Sequence, residues 1–160
     1  MTAVASQSRV PAVGERAPDF SLRSTSGETV SLASFRGKKH VLLAFFPLAF
    51  SSVCTAELCE MRDDFDQYAR SDVEVLPISV DSHYSLSEFR DKHKIQAQML
   101  SDFKRDVSRL YGVLHEERFF SNRAYFLIDK DGVIRWAHVE ENPGQRRQSS
   151  EILEQIAKLG

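Results

Sequence analysis

Two cysteines sit five positions apart in the stretch Pro47-Leu-Ala-Phe-Ser51-Ser-Val-Cys54-Thr-Ala-Glu57-Leu-Cys59. The chain reaches it along an apolar run, stops at Pro47, turns through Ser51 and Ser52, and enters a helix with Cys54 in its first turn. A thiol so placed meets unpaired backbone N–H groups and the positive end of the helix dipole, and both favour thiolate. The thiolate is the nucleophilic form of cysteine. The competing reading is a small buried hydrophobe, the ordinary fate of a free cysteine.

Thiol activation by itself is worth little. Moving a thiol's pKa from about 8.5 to about 6 raises its thiolate fraction at pH 7 roughly thirtyfold. Lower basicity then removes roughly tenfold of that gain through weaker intrinsic nucleophilicity. A fast site therefore needs donors around the bond that breaks in the oxidant. The candidates are the Ser51 hydroxyl, the backbone N–H groups of Val53 and Cys54, and a guanidinium from elsewhere in the chain. Ser51 reads equally as a helix N-cap or turn residue. Arg123, just before the apolar strand Ala124–Asp129, is the candidate guanidinium; the alternative is a solvated arginine at a strand end. Arg146 reads as a second arginine for the site or as a solvated charge.

These residues need a scaffold, and the chain supplies one. At 160 residues it suits a single domain that buries roughly two-thirds of its unfolded surface. Residues 1–13 are small and polar and read as a flexible N-terminal tail, leaving 14–160 as the domain. From Phe20 the pattern alternates through Leu22, breaks at Ser26-Gly27-Glu28, and resumes at Val30 and Leu32, an N-terminal β-hairpin. Ser31 to Gly37 is a short turn. Val41–Phe46 is a continuous apolar run, which marks a strand buried on both faces. The helix after it carries Leu58, Met61, Phe65 and Tyr68 on one stripe, with Cys54 on the same packed side.

Val73–Val80 is the next strand, giving a βαβ unit with a right-handed crossover. A helix begins at Ser82 or Ser85 and runs to about Lys94, and a shorter one spans Asp102 to Tyr111 and stops at Gly112. Ala124–Asp129 and Val133–Val139 form a hairpin through Lys-Asp131-Gly132. Pro143-Gly144 breaks the chain before a last helix with Ile152, Leu153, Ile156 and Leu159 inward. This order predicts an α/β, thioredoxin-like fold: a central mixed β-sheet flanked by helices. In such a sheet the start of the Ala124 strand lies beside the end of the βα turn, which is what brings Arg123 toward Cys54.

Composition narrows the function classes. A net charge of −2 leaves no basic footprint for nucleic acid or anionic lipid. Residues 1–10 hold no apolar core of a secretory signal, and the longest apolar run, Val41 to Phe50, is about half a membrane span. Two cysteines in a chain that can build its own core do not make a disulfide scaffold, so a reducing, cytoplasmic setting is expected. His40, His83, His93, His115 and His138 show no paired ligand spacing and read as surface or packing residues. Neither a metal nor a cofactor enters the expected chemistry.

The spacing Pro47-x3-Ser51-x2-Cys54 resembles the active-site signature of the peroxiredoxins, and Ala17-Pro18-Asp19-Phe20 resembles that family's leading motif. Within the family, Phe-Phe-Pro-Leu-Ala-Phe-Ser-Ser-Val-Cys is similar to the one-cysteine alkyl hydroperoxide reductase E type. Cys59 departs from that type and resembles the second cysteine of the bacterioferritin-comigratory, or Q, type. The resemblance implies that Cys54 attacks hydrogen peroxide or an organic hydroperoxide. It implies that Arg123 holds thiolate and peroxide, that Glu57 braces Arg123, and that Pro47 and Ser51 belong with Cys54 to the catalytic signature. It also implies that Cys59 condenses with the resulting sulfenic acid and that thioredoxin or a glutaredoxin-like thiol reductant reopens the disulfide. External thiol resolution with Cys59 as spectator is the alternative, and relatives of the two types leave monomer or homodimer open. Two other classes stay in view: a disulfide reductase, whose chemistry favours Cys-x-x-Cys and a facing proline, and a non-enzymatic binding module with incidental cysteines.

Overall fold

Six apolar residues between Gly37 and Pro47 demand cover on both faces, and the sheet is built around them. In the computed structural model, which describes residues 8–142 and 144–159, the early strands are β1 (Ser21–Ser24), β2 (Thr29–Ser31), β3 (His40–Phe45) and β4 (Val73–Ser79). The later strands are β5 (Leu100–Ser101), β6 (Leu114–His115), β7 (Phe120–Ser121), β8 (Ala124–Ile128) and β9 (Ile134–Val139). The helices are α1 (Ser52–Asp63), α2 (Phe65–Arg70), α3 (His83–His93), α4 (Asp106–Leu110) and α5 (Ser149–Ala157).

A seven-stranded mixed sheet runs β2-β1-β5-β4-β3-β8-β9. β4 pairs parallel to β3 on one side, and β8 pairs antiparallel on the other. Because strand side chains alternate, Leu42 and Ala44 face one layer and Val41, Leu43 and Phe45 the other. The first layer holds Cys54, Leu58, Met61, Leu86, Phe89 and Ile152 from α1, α3 and α5. The second holds Phe20, Leu32, Val107, Tyr111, Phe126 and Ile134. Each fully buried Leu or Phe of these layers stabilises the fold by roughly 1.5–3 kcal/mol, before chain entropy is charged against it. Among the described residues no helix is long and apolar enough to cross a membrane.

Most expected elements form, and the departures have local causes. The long helix divides at Asp64, whose φ −97, ψ 9 leaves the helical region. The break lets Tyr68 turn fully into the core, where its hydroxyl donates to Ser149 Oγ at 3.1 Å, while Phe65 stays half-buried. β5, β6 and β7 have two residues each, too few to leave a periodic pattern. Pro77 stands inside β4, yet β5 pairs only with Ile78 and Ser79. A residue without an N–H is tolerated where one edge of the strand is open.

The N-terminal tail divides at the limit of the described residues. Residues 1–7 lie outside them, while residues 8–13 make specific contacts where a loose tail is expected. The Ser8 N–H donates to the Arg109 carbonyl, Arg9 pairs with Glu15, and Pro11 is buried. Gly112, which ends the short helix with φ +68, makes this approach possible. A Cβ there would lie 2.5 Å from the Ser8 carbonyl oxygen. Pro143, expected to break the chain before α5, also lies outside the described residues.

Candidate active site

α1 begins where β3 ends, so its N-terminus opens at the edge of the sheet. Pro47 is buried behind the turn, and the loop after it is pinned by the Ala49 N–H donating to Asp81 Oδ2 at 2.8 Å. Phe50 adopts φ +70, an unusual conformation for a side chain this large, and its ring meets Phe89 edge-on at 5.1 Å. Ser51 is the N-cap residue by backbone geometry, φ −75, ψ 151, but its hydroxyl neither caps the helix nor touches the sulfur. It donates to the Leu48 carbonyl at 2.7 Å and so closes the loop on itself.

Cys54 is the third residue of α1 and is 0% exposed. Glu57 follows one helical turn later on the same face, also buried. Arg123 comes from the opposite element: Phe45 pairs with Ala124 across β3 and β8, which puts Arg123 beside the exit from β3. Its Nη2 donates to Cys54 Sγ at 3.1 Å, its Nη1 to Glu57 Oε1 at 2.9 Å, and its Nε to the Gln145 carbonyl at 3.0 Å. The guanidinium is therefore fixed in plane and in rotation. Tyr125, two residues on and hence on the same sheet face, donates its hydroxyl to Glu57 Oε2 and accepts the Arg147 N–H.

The electrostatics follow from this enclosure. Burial pushes the Glu57 carboxyl above the ordinary carboxylate range, against the opposing pull of Arg123 and of the Tyr125 hydroxyl. For Arg123, burial works against the charge, but Glu57 and Cys54 outweigh it and hold the guanidinium above its usual value. Burial, followed by the negative charge of Glu57, drives the Tyr125 hydroxyl far up, so it serves as a permanent donor. One guanidinium already matched by one carboxylate cannot alone offset a second negative charge. The remaining positive potential at the sulfur comes from the N-terminus of α1.

An open cleft of about 250 Å³ leads here, lined by Pro47, Leu48, Ser51, Val53, Phe120 and Arg123. A small oxidant in it meets Arg123 and the start of α1, and its apolar wall suits a hydrocarbon tail. The arrangement can hold a sulfur anion and polarise a bond brought up against it.

Of the residues singled out from the sequence, Cys54, Glu57 and Arg123 come together, with Pro47 and Ser51 in the loop that frames them. Cys59 does not join them. It is half-buried on the next turn of α1, with Sγ 3.8 Å from His93 Nδ1. Arg146, read from the sequence as a second site arginine or a solvated charge, is half-buried and pairs with Glu60 at 3.1 Å, and its charge also acts on Glu57. Tyr125 was not among the sequence candidates, although its alternation with Arg123 is a usable signal. The Gln145 carbonyl left none.

The AhpC/TSA family model matches residues 13–137. Alkyl hydroperoxide reductase E of Mycobacterium tuberculosis is 37% identical over 149 residues, covering 92% of this chain and 97% of that protein. Peroxiredoxin Bcp of Escherichia coli is 39% identical over 127 residues, covering 76% of this chain and 81% of that one. The solved structure of the reduced 2-Cys peroxiredoxin of Plasmodium vivax has a TM-score of 0.86 at 34% identity, covering 93% of this chain and 82% of its own. By its sequence, its thioredoxin-like sheet and the constellation around Cys54, this chain belongs to the AhpC/TSA family, the peroxiredoxins.

Proposed function

We propose that this chain is a thiol-dependent peroxidase in which Cys54 attacks the terminal oxygen of hydrogen peroxide or an organic hydroperoxide. The S–O bond forms as the O–O bond breaks; sulfur is oxidised to sulfenic acid, the peroxide is reduced, and the departing oxygen takes a proton to leave as water or alcohol. The observation that carries this reading is Arg123, held by Glu57 and the Gln145 carbonyl with one N–H on Cys54 Sγ at 3.1 Å. From there the guanidinium spans both the attacking sulfur and the incoming oxygen. Ser51 frames the mouth of the cleft and Pro47 fixes the turn that presents α1. Stopped-flow reaction of the reduced protein with hydrogen peroxide and an organic hydroperoxide tests the reading. Cys54→Ser abolishes the fast phase and Arg123→Ala slows it by at least 100-fold, the usual size of one lost transition-state donor. Wild-type kinetics no faster than a free thiol overturn it.

Cys59 is the proposed resolving thiol, and the disulfide is reopened by thioredoxin or a similar thiol reductant in a reducing, cytoplasmic setting. Residues five apart in a helix lie roughly 8–9 Å apart and face about 140° from each other, whereas a disulfide needs Cα atoms within about 7 Å. Resolution therefore requires the first turns of α1 to unwind. One observation favours a second reading: Cys59 faces His93, away from Cys54, which suits direct reduction of the sulfenic acid by an external thiol. Mass spectrometry after one equivalent of peroxide decides between them, since a lasting sulfenic acid with Cys59 free excludes internal resolution.

A further inference from the structure

The contact between Cys59 and His93 joins two helices that the peroxide site does not require to touch there. His93 closes the last turn of α3, half-buried, with Nδ1 3.8 Å from Cys59 Sγ. Its ring packs on Phe89 at 4.7 Å, and its carbonyl accepts Arg62 Nη1 at 2.7 Å, so both ring and backbone are held against α1. We propose that His93 is the proton acceptor for Cys59, its Nδ1 taking the thiol proton before the resolving step. This rests on the reading of Cys59 as the resolving thiol.

The site suits that transfer. Arg62 of α1, which holds the His93 carbonyl, is also paired with Asp63, and Arg90, Lys92 and the C-cap residue Lys94 flank His93 along the chain. Arg90 is spent on the Gln96 and Ala97 carbonyls, and Lys92 lies over the Phe50 ring at 5.8 Å. The step balances. The Cys59 thiol gives its proton to His93, and the thiolate attacks the Cys54 sulfenic sulfur. The S–S bond forms as the S–O bond breaks, and the leaving hydroxide recovers the proton as water. The sulfenic sulfur is reduced and the thiol sulfur oxidised.

The test uses His93→Asn, which keeps a polar atom near the Nδ1 position but takes no proton, in the full chain with folding checked by circular dichroism. In a Cys54→Ser background, iodoacetamide alkylation of Cys59 is followed from pH 6 to 10. With His93 present, alkylation at pH 7 is several-fold faster than in the Asn variant, because the neutral imidazole takes the thiol proton. The gap closes toward pH 10, where hydroxide deprotonates the thiol without the imidazole. Superimposed profiles, or ones offset equally at every pH, overturn the assignment. With Cys54 restored, disulfide formation after one equivalent of peroxide slows in the Asn variant by the same pH-dependent factor. Alkylation profiles that converge at high pH without any disulfide uphold the His93–Cys59 pairing and defeat the resolving role. A disulfide whose rate ignores His93→Asn defeats the inference and leaves that role standing.

Discussion

The Arg123–Glu57 pair predicts an asymmetry between its two halves. Both side chains are 1% exposed, so removing either strands the other in the core. Breaking a buried pair from one side costs about 3–5 kcal/mol. The two survivors differ in how they escape that cost. Burial already pushes Glu57 up, so in Arg123→Met the carboxyl can bind a proton and keep its Tyr125 contact. Arg123 has no such exit at any pH that the fold survives. Glu57→Gln therefore costs more than Arg123→Met at acidic and neutral pH. The sign for Glu57 is fixed by its raised value: the folded state favours the protonated form. Its contribution is most favourable below the ordinary carboxylate pKa of about 4.3 and declines as pH rises toward the folded value, by at most about 1.4 kcal/mol per pH unit. Urea unfolding followed by Trp136 fluorescence at pH 5, 6, 7 and 8 measures this. The Arg123→Met penalty grows across that range while the Glu57→Gln penalty shrinks, because only the wild type carries the raised carboxyl. Adding Cys54→Ser enlarges the Glu57→Gln penalty, because the sulfur no longer shares the guanidinium. Equal penalties, or an Arg123→Met penalty blind to pH, refute the reasoning.

Three further outcomes follow from single contacts. Burial pushes Tyr68 up to about 12, and Tyr111 and Tyr125 higher still, so the folded state resists their ionisation. Stability is then lost as pH rises above about 10, by up to about 1.4 kcal/mol per unit for each ring, and absorbance at 295 nm rises in step with unfolding. Gly112→Ala costs more than about 2 kcal/mol in thermal or urea unfolding, since positive φ and a blocked approach of residue 8 act together. Ser51→Ala removes the bond that closes the Leu48–Ser51 loop, lowering stability by about 1 kcal/mol and slowing the peroxide phase while leaving Cys54 present.

The legible parts of this protein are those governed by short periods. Alternation in β3 and β8 divides the two core layers, and the step from Cys54 to Glu57 is one helical turn. The place of Arg123 before a sheet strand then brings three functional groups to one point. What escaped depends on packing between elements distant in sequence. Asp81 on Ala49, the Gln145 carbonyl on Arg123 and His93 on Cys59 are set by how loops and helices meet, and no spacing encodes them. Ser51 shows a limit of another kind. A serine before a helix reads as a cap, yet its hydroxyl turns back to donate to the Leu48 carbonyl and makes no cap bond to α1.

The second carboxylate of α1 makes unwinding of that helix visible elsewhere. Glu60 Oε1 accepts the Ser149 N–H and Glu60 Oε2 pairs with Arg146, so α1 caps the N-terminus of α5, whose own N-cap residue Gln148 offers no side-chain bond. Glu57 reaches the same segment through Tyr125, which accepts the Arg147 N–H at 2.9 Å. If α1 unwinds to join Cys54 with Cys59, both anchors move, and α5 loses a cap worth about 1 kcal/mol. Hydrogen exchange on the reduced and peroxide-treated protein checks this at two named amides. Arg147 and Ser149 exchange faster in the disulfide form, together with the first two turns of α1, while Leu42 and Leu127 in the central sheet are unmoved. Loss of protection along α1 with Arg147 and Ser149 unchanged separates the helix from the 145–149 segment and sinks the coupling.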